Sequence, residues 1–456
     1  MDSLLTFIRL HLSDDTNCHL TVVFLGHIAR LAIGLLSSAL LARGLGPEGL
    51  SVFSVIGATI AIALTLSDFG LNTSAVSHIA NGTGATSSTS GWRMAGSYAQ
   101  LKVTASLSVV IALLLFAQPL AEALDLDHPS STLLLRVASL GLLATALSSL
   151  VSTVLRALRR FRVLVLTQLA NIGLTVLLLG TLFLTGHLTV LNALLVGAIT
   201  ALAATMLGFG LLPSPWKRAL LARPVSLTQE ARHLLSFSKW LALSAILSIL
   251  LSQLDLLLLN HWMPAHTVGF YALALNLAFK ADIINQTLHT VLLPQVSSIS
   301  RKDAFLGYLR RSLSRSLLLA LAVVALLPLA HPFILTVYGT GYAPSVGVFY
   351  ALMSIILFDL LTIPILLLAF PLNIPHVIVA ADVVGVIVLP LVAAITIPIW
   401  GLYGAVWAKL TAKVCSGVIL GFAVILRLRA APPAPVTLVQ APGAGAIPDP
   451  HSSETT

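Results

Sequence analysis

The feature that most limits what this chain can become is the recurrence, from residue 20 to residue 426, of apolar runs long enough to cross a bilayer. Hydrocarbon about 30 Å thick is spanned by roughly 20 helical residues. Twelve such runs are read at 20 to 42, 50 to 70, 98 to 118, 132 to 154, 163 to 185, 188 to 212, 237 to 259, 267 to 291, 312 to 330, 346 to 368, 374 to 397 and 402 to 426. With 9% charged residues and a mean hydropathy of +1.00, 456 residues carry too little charge to coat a water-soluble globule. An all-α, polytopic membrane fold is therefore expected, because a helix satisfies its own backbone hydrogen bonds in lipid.

The chain's net charge of +9 invites a nucleic-acid reading until its 25 Lys and Arg residues are placed. Nineteen of them fall in loops and tails on one side, including Arg156, Arg159, Arg160 and Arg162, Lys217 and Arg218, and Lys302, Arg310 and Arg311. Arg93 and Lys102 are counted with this group. The opposite side has Arg43, and its loop at 119 to 131 carries Glu122, Asp125 and Asp127. Positive charge marks cytoplasmic loops, so both termini are expected in the cytoplasm and no nucleic-acid partner is implied.

Residues 1 to 19 contain acidic groups around a short apolar patch and no small-residue cleavage site. They are expected to form a cytoplasmic amphipathic lead-in rather than a secretory signal. Cys18 and Cys415 and the 13 histidines show no disulfide or metal-ligand pattern, so neither a metal nor a cofactor is expected.

The polar interruption "LLARGLGPEGLSVFS", residues 40 to 54, reads as the tight turn of a helical hairpin, with Pro47 and Glu48 suited to a helix start. A shift of 217 residues brings Pro47 onto Pro264 and Phe53 onto Phe270, and carries residue 212 to 429. Two six-helix lobes follow, 20 to 212 and 237 to 429, related by a pseudo-two-fold axis along the membrane normal with a cavity between them. A basic cytoplasmic linker, 213 to 236, joins them. Residues 81 to 91 are expected as a flexible inner loop, and the Pro-, Ala- and Gly-rich tail 430 to 456 as disordered. Pro328, Pro364 and Pro390 fall within spans of the second lobe, where they either favour bending during transport or fit packing.

The stretches "ARLAIGLLSSALLARGLGPEGLSVFSVI" (29 to 56) and "LSDFGLNTSAVSHIA" (66 to 80) resemble the N-terminal signature of polysaccharide transporters and oligosaccharide flippases. "ILTVYGTGYAPS" (334 to 345) and "GLYGAVWAKL" (401 to 410) look like later landmarks of the same family. The resemblance implies a bacterial inner-membrane protein of the multidrug and oligosaccharidyl-lipid exporter superfamily, working by ion-driven alternating access. It also implies a lipid-diphosphate-linked oligosaccharide as cargo, a proton or sodium ion as driving ion, and polysaccharide polymerase and glycosyltransferases as functional partners.

Five cations lie within the spans. Each would cost about 2.5 to 3.5 kcal/mol at mid-depth facing lipid. Arg136 is about 6 Å from the outer surface and can snorkel, whereas Arg30, Lys280 and Lys413 are about 18, 20 and 16 Å below it. Arg30, Lys280, Lys409 and Lys413 are the expected substrate-binding residues of a cavity with excess positive charge, matched to diphosphate oxygens. A Lys413–Asp382 pair is the competing structural reading, and Lys409 has no obvious partner. Asp359 and Asp382 are the ion-coupling candidates, while Asp68 and Asp255, near span ends, are expected to be hydrated or helix-terminal. Span one has Arg30 and no carboxylate, unlike the drug and cation exporters of the superfamily. An ion-coupled small-molecule exporter and a membrane-embedded polymerase or glycosyltransferase are the alternatives. The outer loops are short for catalysis.

Overall fold

The computed structural model describes residues 15–84, 88–126, 130–221, 227–297, 302–372 and 374–429. The expected lead-in as far as residue 14, part of the linker (222 to 226) and the tail 430 to 456 lie outside the described residues. Helix begins with α1 (Asp15–Asp68), α2 (Leu71–Gly84), α3 (Ser88–Leu115), α4 (Ala117–Ala123), α5 (Ser131–Ala157), α6 (Phe161–Leu184) and α7 (Val190–Gly210). The short α8 (Ser214–Leu221) leads to α9 (Leu227–Trp262), α10 (Ala265–Ala281), α11 (Ile283–Ser297) and α12 (Lys302–Leu326). After a 3-10 turn at Leu327–Leu329 come α13 (Ala330–Tyr338), α14 (Ala343–Leu367), α15 (Pro375–Trp400) and α16 (Leu402–Arg429).

Among the described residues, 11 helical segments are long and apolar enough to span a membrane. The first, Ala29–Asp68, is two arms folded at Gly46, which restores the expected twelve crossings. Gly46 has φ 67 and ψ 178, a combination open essentially to glycine, and Pro47 starts the second arm. Span eight is α10 followed by α11, with the break at Asp282. The prolines act differently from one another: Pro328 sits in the 3-10 turn dividing α12 from α13, while Pro364 and Pro390 remain inside α14 and α15. Residues 81 to 91 are largely helical, with only 85 to 87 outside the described residues, so the Gly- and Ser-rich composition there overstated the loop.

The fold is two six-helix lobes. Each lobe presents large apolar side chains outward, among them Leu177, Leu184 and Met206 in the first and Leu318, Leu391 and Phe422 in the second, as lipid-facing helices require. One end of the bundle carries the hairpin turns at Gly46 and Pro264; the other, the terminal end, carries the start of α1 and the end of α16. At the hairpin end a single apolar core joins the lobes, running from Ala42, Val55 and Ile56 through Val268 and Tyr271 to Leu352. Toward the terminal end the cores separate. One contains Ile79, Tyr98, Leu155 and Trp216 of the first lobe; the other contains Leu292, Phe305, Leu367 and Val424 of the second.

The internal repeat has a physical counterpart where the two turns meet. A Cβ added to Gly269 would lie 2.0 Å from the Pro47 carbonyl oxygen, so the main chains touch directly. Reciprocally, Val52, which the 217-residue shift carries onto Gly269, lines one recess with Pro264.

Candidate functional site

The cations within the spans divide into two groups. Arg30, on the first arm of α1, donates from Nη1 to Gln168 Oε1 of α6 at 2.9 Å. One helical turn further along, a Cβ on Gly34 would lie 3.9 Å from Lys280 Cε and 3.4 Å from Ile172 Cδ1. The missing side chain at Gly34 thus lets the Lys280 stem of α10 lie against α1, one turn from Arg30. Lys280 Nζ donates to Asn276 Oδ1 on its own helix. Arg30 and Lys280 are 17 and 16 residues from the prolines of their respective turns, about 24 to 26 Å along each helix, and so share a depth. Their hydrogen-bond partners are neutral amides, and among the described residues neither forms a salt bridge.

Lys409 and Lys413 stand one turn apart on α16, and each has its own carboxylate. Lys409 Nζ lies 2.8 Å from Asp255 Oδ2 and 3.0 Å from the Ser252 carbonyl oxygen of α9, and 5.7 Å from the Phe279 ring centroid. Asp255 is 0% exposed and also accepts the Tyr271 hydroxyl at 2.5 Å. Lys413 Nζ reaches both oxygens of Asp359 on α14, at 2.9 and 3.1 Å. This corrects three expectations: Lys409 has a partner, the partner of Lys413 is Asp359 rather than Asp382, and Asp255 is not hydrated. Sequence depth alone had ranked Asp382 first because it is on the adjacent helix. The packing of α14 against α16 brings Asp359 closer.

A similar correction applies to Lys102, counted from sequence with an inner loop, whereas Asp68 is helix-terminal as one of its two readings had it. Lys102 is 1% exposed within α3, and its ammonium is bonded to the Asp68 carboxylate at the end of α1.

Around Lys409 and Lys413 the second lobe lines a partly open cavity of about 220 Å³. Asp282, Asp359 and Asp382 line it with the two lysines and with Ser248, Ser252 and Phe279. Asp282 accepts from Asn285 at 3.0 Å and Gln286 at 3.3 Å. Asp382 accepts no hydrogen bond from any described residue. Because Asp255 already offsets Lys409, and Asp359 offsets Lys413, the remaining formal charge of this cavity is acidic. The expected single cavity of excess positive charge is therefore two regions: an uncompensated cationic pair on α1 and α10, and a carboxylate-rich chamber inside the second lobe.

Other polar span residues separate in the same way. Ser38 bonds Tyr338 at 2.9 Å and Asn285 donates to the Ile356 carbonyl at 3.2 Å, both helix-to-helix contacts. Gln168 and Asn276 orient Arg30 and Lys280. Arg136 is exposed, as a snorkelling residue would be. No group of three potential metal ligands occurs among the described residues.

The family described as polysaccharide biosynthesis protein matches residues 40–347. No curated protein matches the sequence significantly. Among solved structures, the lipid II flippase MurJ in an inward closed conformation is similar at 14% identity and a TM-score of 0.72, covering 90% of this chain and 89% of that one. An inward-facing multidrug resistance MATE family transporter of the MOP superfamily gives 15% identity and 0.69, covering 88% and 98%. A MATE transporter of Vibrio cholerae gives 17% and 0.61, covering 91% and 98%. At these identities the likeness is one of fold.

Proposed function

The chain belongs to the polysaccharide biosynthesis protein family, and from that premise we propose that it is a flippase carrying a lipid-diphosphate-linked oligosaccharide across the bacterial inner membrane by alternating access. One observation carries the choice of cargo: Lys280 lies against α1 one helical turn from Arg30, and among the described residues both cations have neutral amide partners only. Two cations left without carboxylates at membrane depth call for an anion. A diphosphate supplies oxygens for a guanidinium and an ammonium together, while its lipid tail stays in the bilayer. Gln168 and Asn276 hold the two cations in place before cargo arrives.

The acidic chamber takes the second task. Asp382, a carboxylate without a hydrogen-bond donor, is the group we assign to binding a proton or sodium ion, with Asp359 passing its influence to Lys413 on α16. Arg-rich turns such as Leu158–Arg160 lie at the terminal end, which we place in the cytoplasm by the excess of basic residues there. With the core continuous at the hairpin end and divided at the terminal end, the molecule is closed outward in this state. Lys409 and Lys413, read from sequence as cargo ligands, become structural and coupling residues.

The acidic chamber also favours a second reading, an ion-coupled exporter of cationic small molecules. Reconstituted vesicles decide between them. Purified protein should move a fluorescent polyprenyl-diphosphate oligosaccharide between leaflets, and inorganic diphosphate should compete. Movement of a lipophilic cation without movement of the diphosphate lipid would replace the first reading by the second; a new glycan product would make the protein an enzyme.

A further inference from the structure

The hairpin end holds polar contacts that the transport reading does not use. Asn260 and His261, at the end of α9 in the second lobe, reach the connection between α4 and α5 in the first. Asn260 Nδ2 donates to the Leu124 carbonyl oxygen at 2.7 Å and to that of Asp125 at 3.4 Å. His261 Nδ1 lies 2.5 Å from Asp125 Oδ2. Asp125 has φ 46, a left-handed backbone that turns its side chain and carbonyl toward α9. The pair borders a recess of about 320 Å³ floored by Val52, Trp262 and Pro264, and both side chains are open to solvent, His261 at 60% and Asp125 at 47%. Water and protons therefore reach it directly.

We propose that His261 and Asp125 form a proton-sensitive clasp between the lobes, so that acid on the hairpin side holds the molecule closed there. With the imidazole protonated, the contact is a charge-assisted hydrogen bond to a carboxylate; once the proton leaves, the ionic part is gone and a neutral contact remains. The surrounding lobe-to-lobe bonds do not titrate in this range. Arg43 Nη2 donates to the Thr336 carbonyl oxygen at 2.5 Å, the Tyr342 hydroxyl to that of Ala42 at 2.8 Å, and Ser38 bonds Tyr338.

Other charged groups on the elements meeting here are Glu48 at the start of the second arm of α1, Glu122 on α4, which accepts from Gln118, and His266 on α10, which contacts Thr267. His187 in the α6–α7 turn and His331 on α13 are further histidines among the described residues, His128 of the α4–α5 connection lies outside them, and His266, on the helix that follows His261, is controlled for below. The clasp itself stands on the contacts. Only the statement that it faces the outer compartment rests on the reading above.

The test uses full-length protein in lipid nanodiscs, where both faces see the same buffer, with Cys18→Ser and Cys415→Ser as background. Spin labels at Thr185→Cys and Thr340→Cys, exposed positions at the hairpin end of either lobe, report their separation. Between about pH 5.5 and about pH 8, bracketing the ordinary histidine range, the ratio of closed to open populations should fall about two- to fivefold, as befits an exposed ion pair. His261→Gln and Asp125→Asn should each remove that response, asparagine being at ease in the left-handed backbone. His266→Gln should leave it. A distance distribution indifferent to pH, or a response that survives either clasp substitution, overturns the proposal, as does its loss in His266→Gln alone. Failure of diphosphate-lipid transport in vesicles would leave this result untouched, so the two readings fail separately.

Discussion

Lys409 and Asp255 are locked 2.8 Å apart in the interior of the second lobe, the carboxylate fully buried and shared with the Tyr271 hydroxyl. Removing one partner of a buried pair strands the other charge, which costs about 3–5 kcal/mol, whereas removing both costs far less. Lys409→Met and Asp255→Asn should each lower the thermal midpoint in detergent sharply, and the double variant should recover most of the loss. Equal damage from single and double variants would show that the pair is not coupled.

Arg30 and Lys280 should behave in the opposite way. Among the described residues neither is offset by a carboxylate, so Arg30→Gln or Lys280→Gln relieves a half-buried charge rather than creating one. Each should leave the thermal midpoint unchanged or raise it, while diphosphate-lipid transport falls about 10- to 100-fold, the worth of one charged hydrogen bond. Transport at the unaltered rate in both variants would take the cargo away from this pair.

At Asp382 the expectation concerns driving force rather than cargo. Asp382→Asn should keep binding of the diphosphate lipid within about twofold and abolish its stimulation by an imposed proton or sodium gradient, measured in the same vesicles. Stimulation that persists would move coupling elsewhere in the chamber, with Asp359→Asn the next variant to try.

The turn-to-turn contact makes a steric prediction. A methyl group at position 269 would sit 2.0 Å from the Pro47 oxygen, far inside contact distance, so Gly269→Ala must push the turns apart. A thiol placed at Ala42, which is 0% exposed, should then become reactive to a water-soluble maleimide. At Gly46 the obstacle is the backbone itself: Gly46→Ala should destabilise by about 1–3 kcal/mol through its φ of 67.

Most of the architecture was legible because membrane helices are written in long apolar runs and the turns in Gly and Pro. The repeat relating Pro47 to Pro264 is the sequence's mark of two lobes. Depth was legible too, since a fixed rise per residue placed Arg30 and Lys280 level with one another. Rotation about each helix axis was not. Lys413 could be matched in depth with Asp382, yet only the packing of α14 on α16 chose Asp359. Lys102 looked like a loop residue because charge near a span end reads as topology, and its burial depends on Asp68 from another helix. The Asp125–His261 contact joins residues 136 apart and leaves no periodic trace.

Where Gly269 meets Pro47, peptide groups bear on one another with no side chain between them. A side chain can swivel aside and let a gap widen by degrees; a peptide plane has no such freedom. Separation at this point therefore demands that whole helices shift as solid bodies, which turns the hairpin end into a snap fastener, either engaged or released.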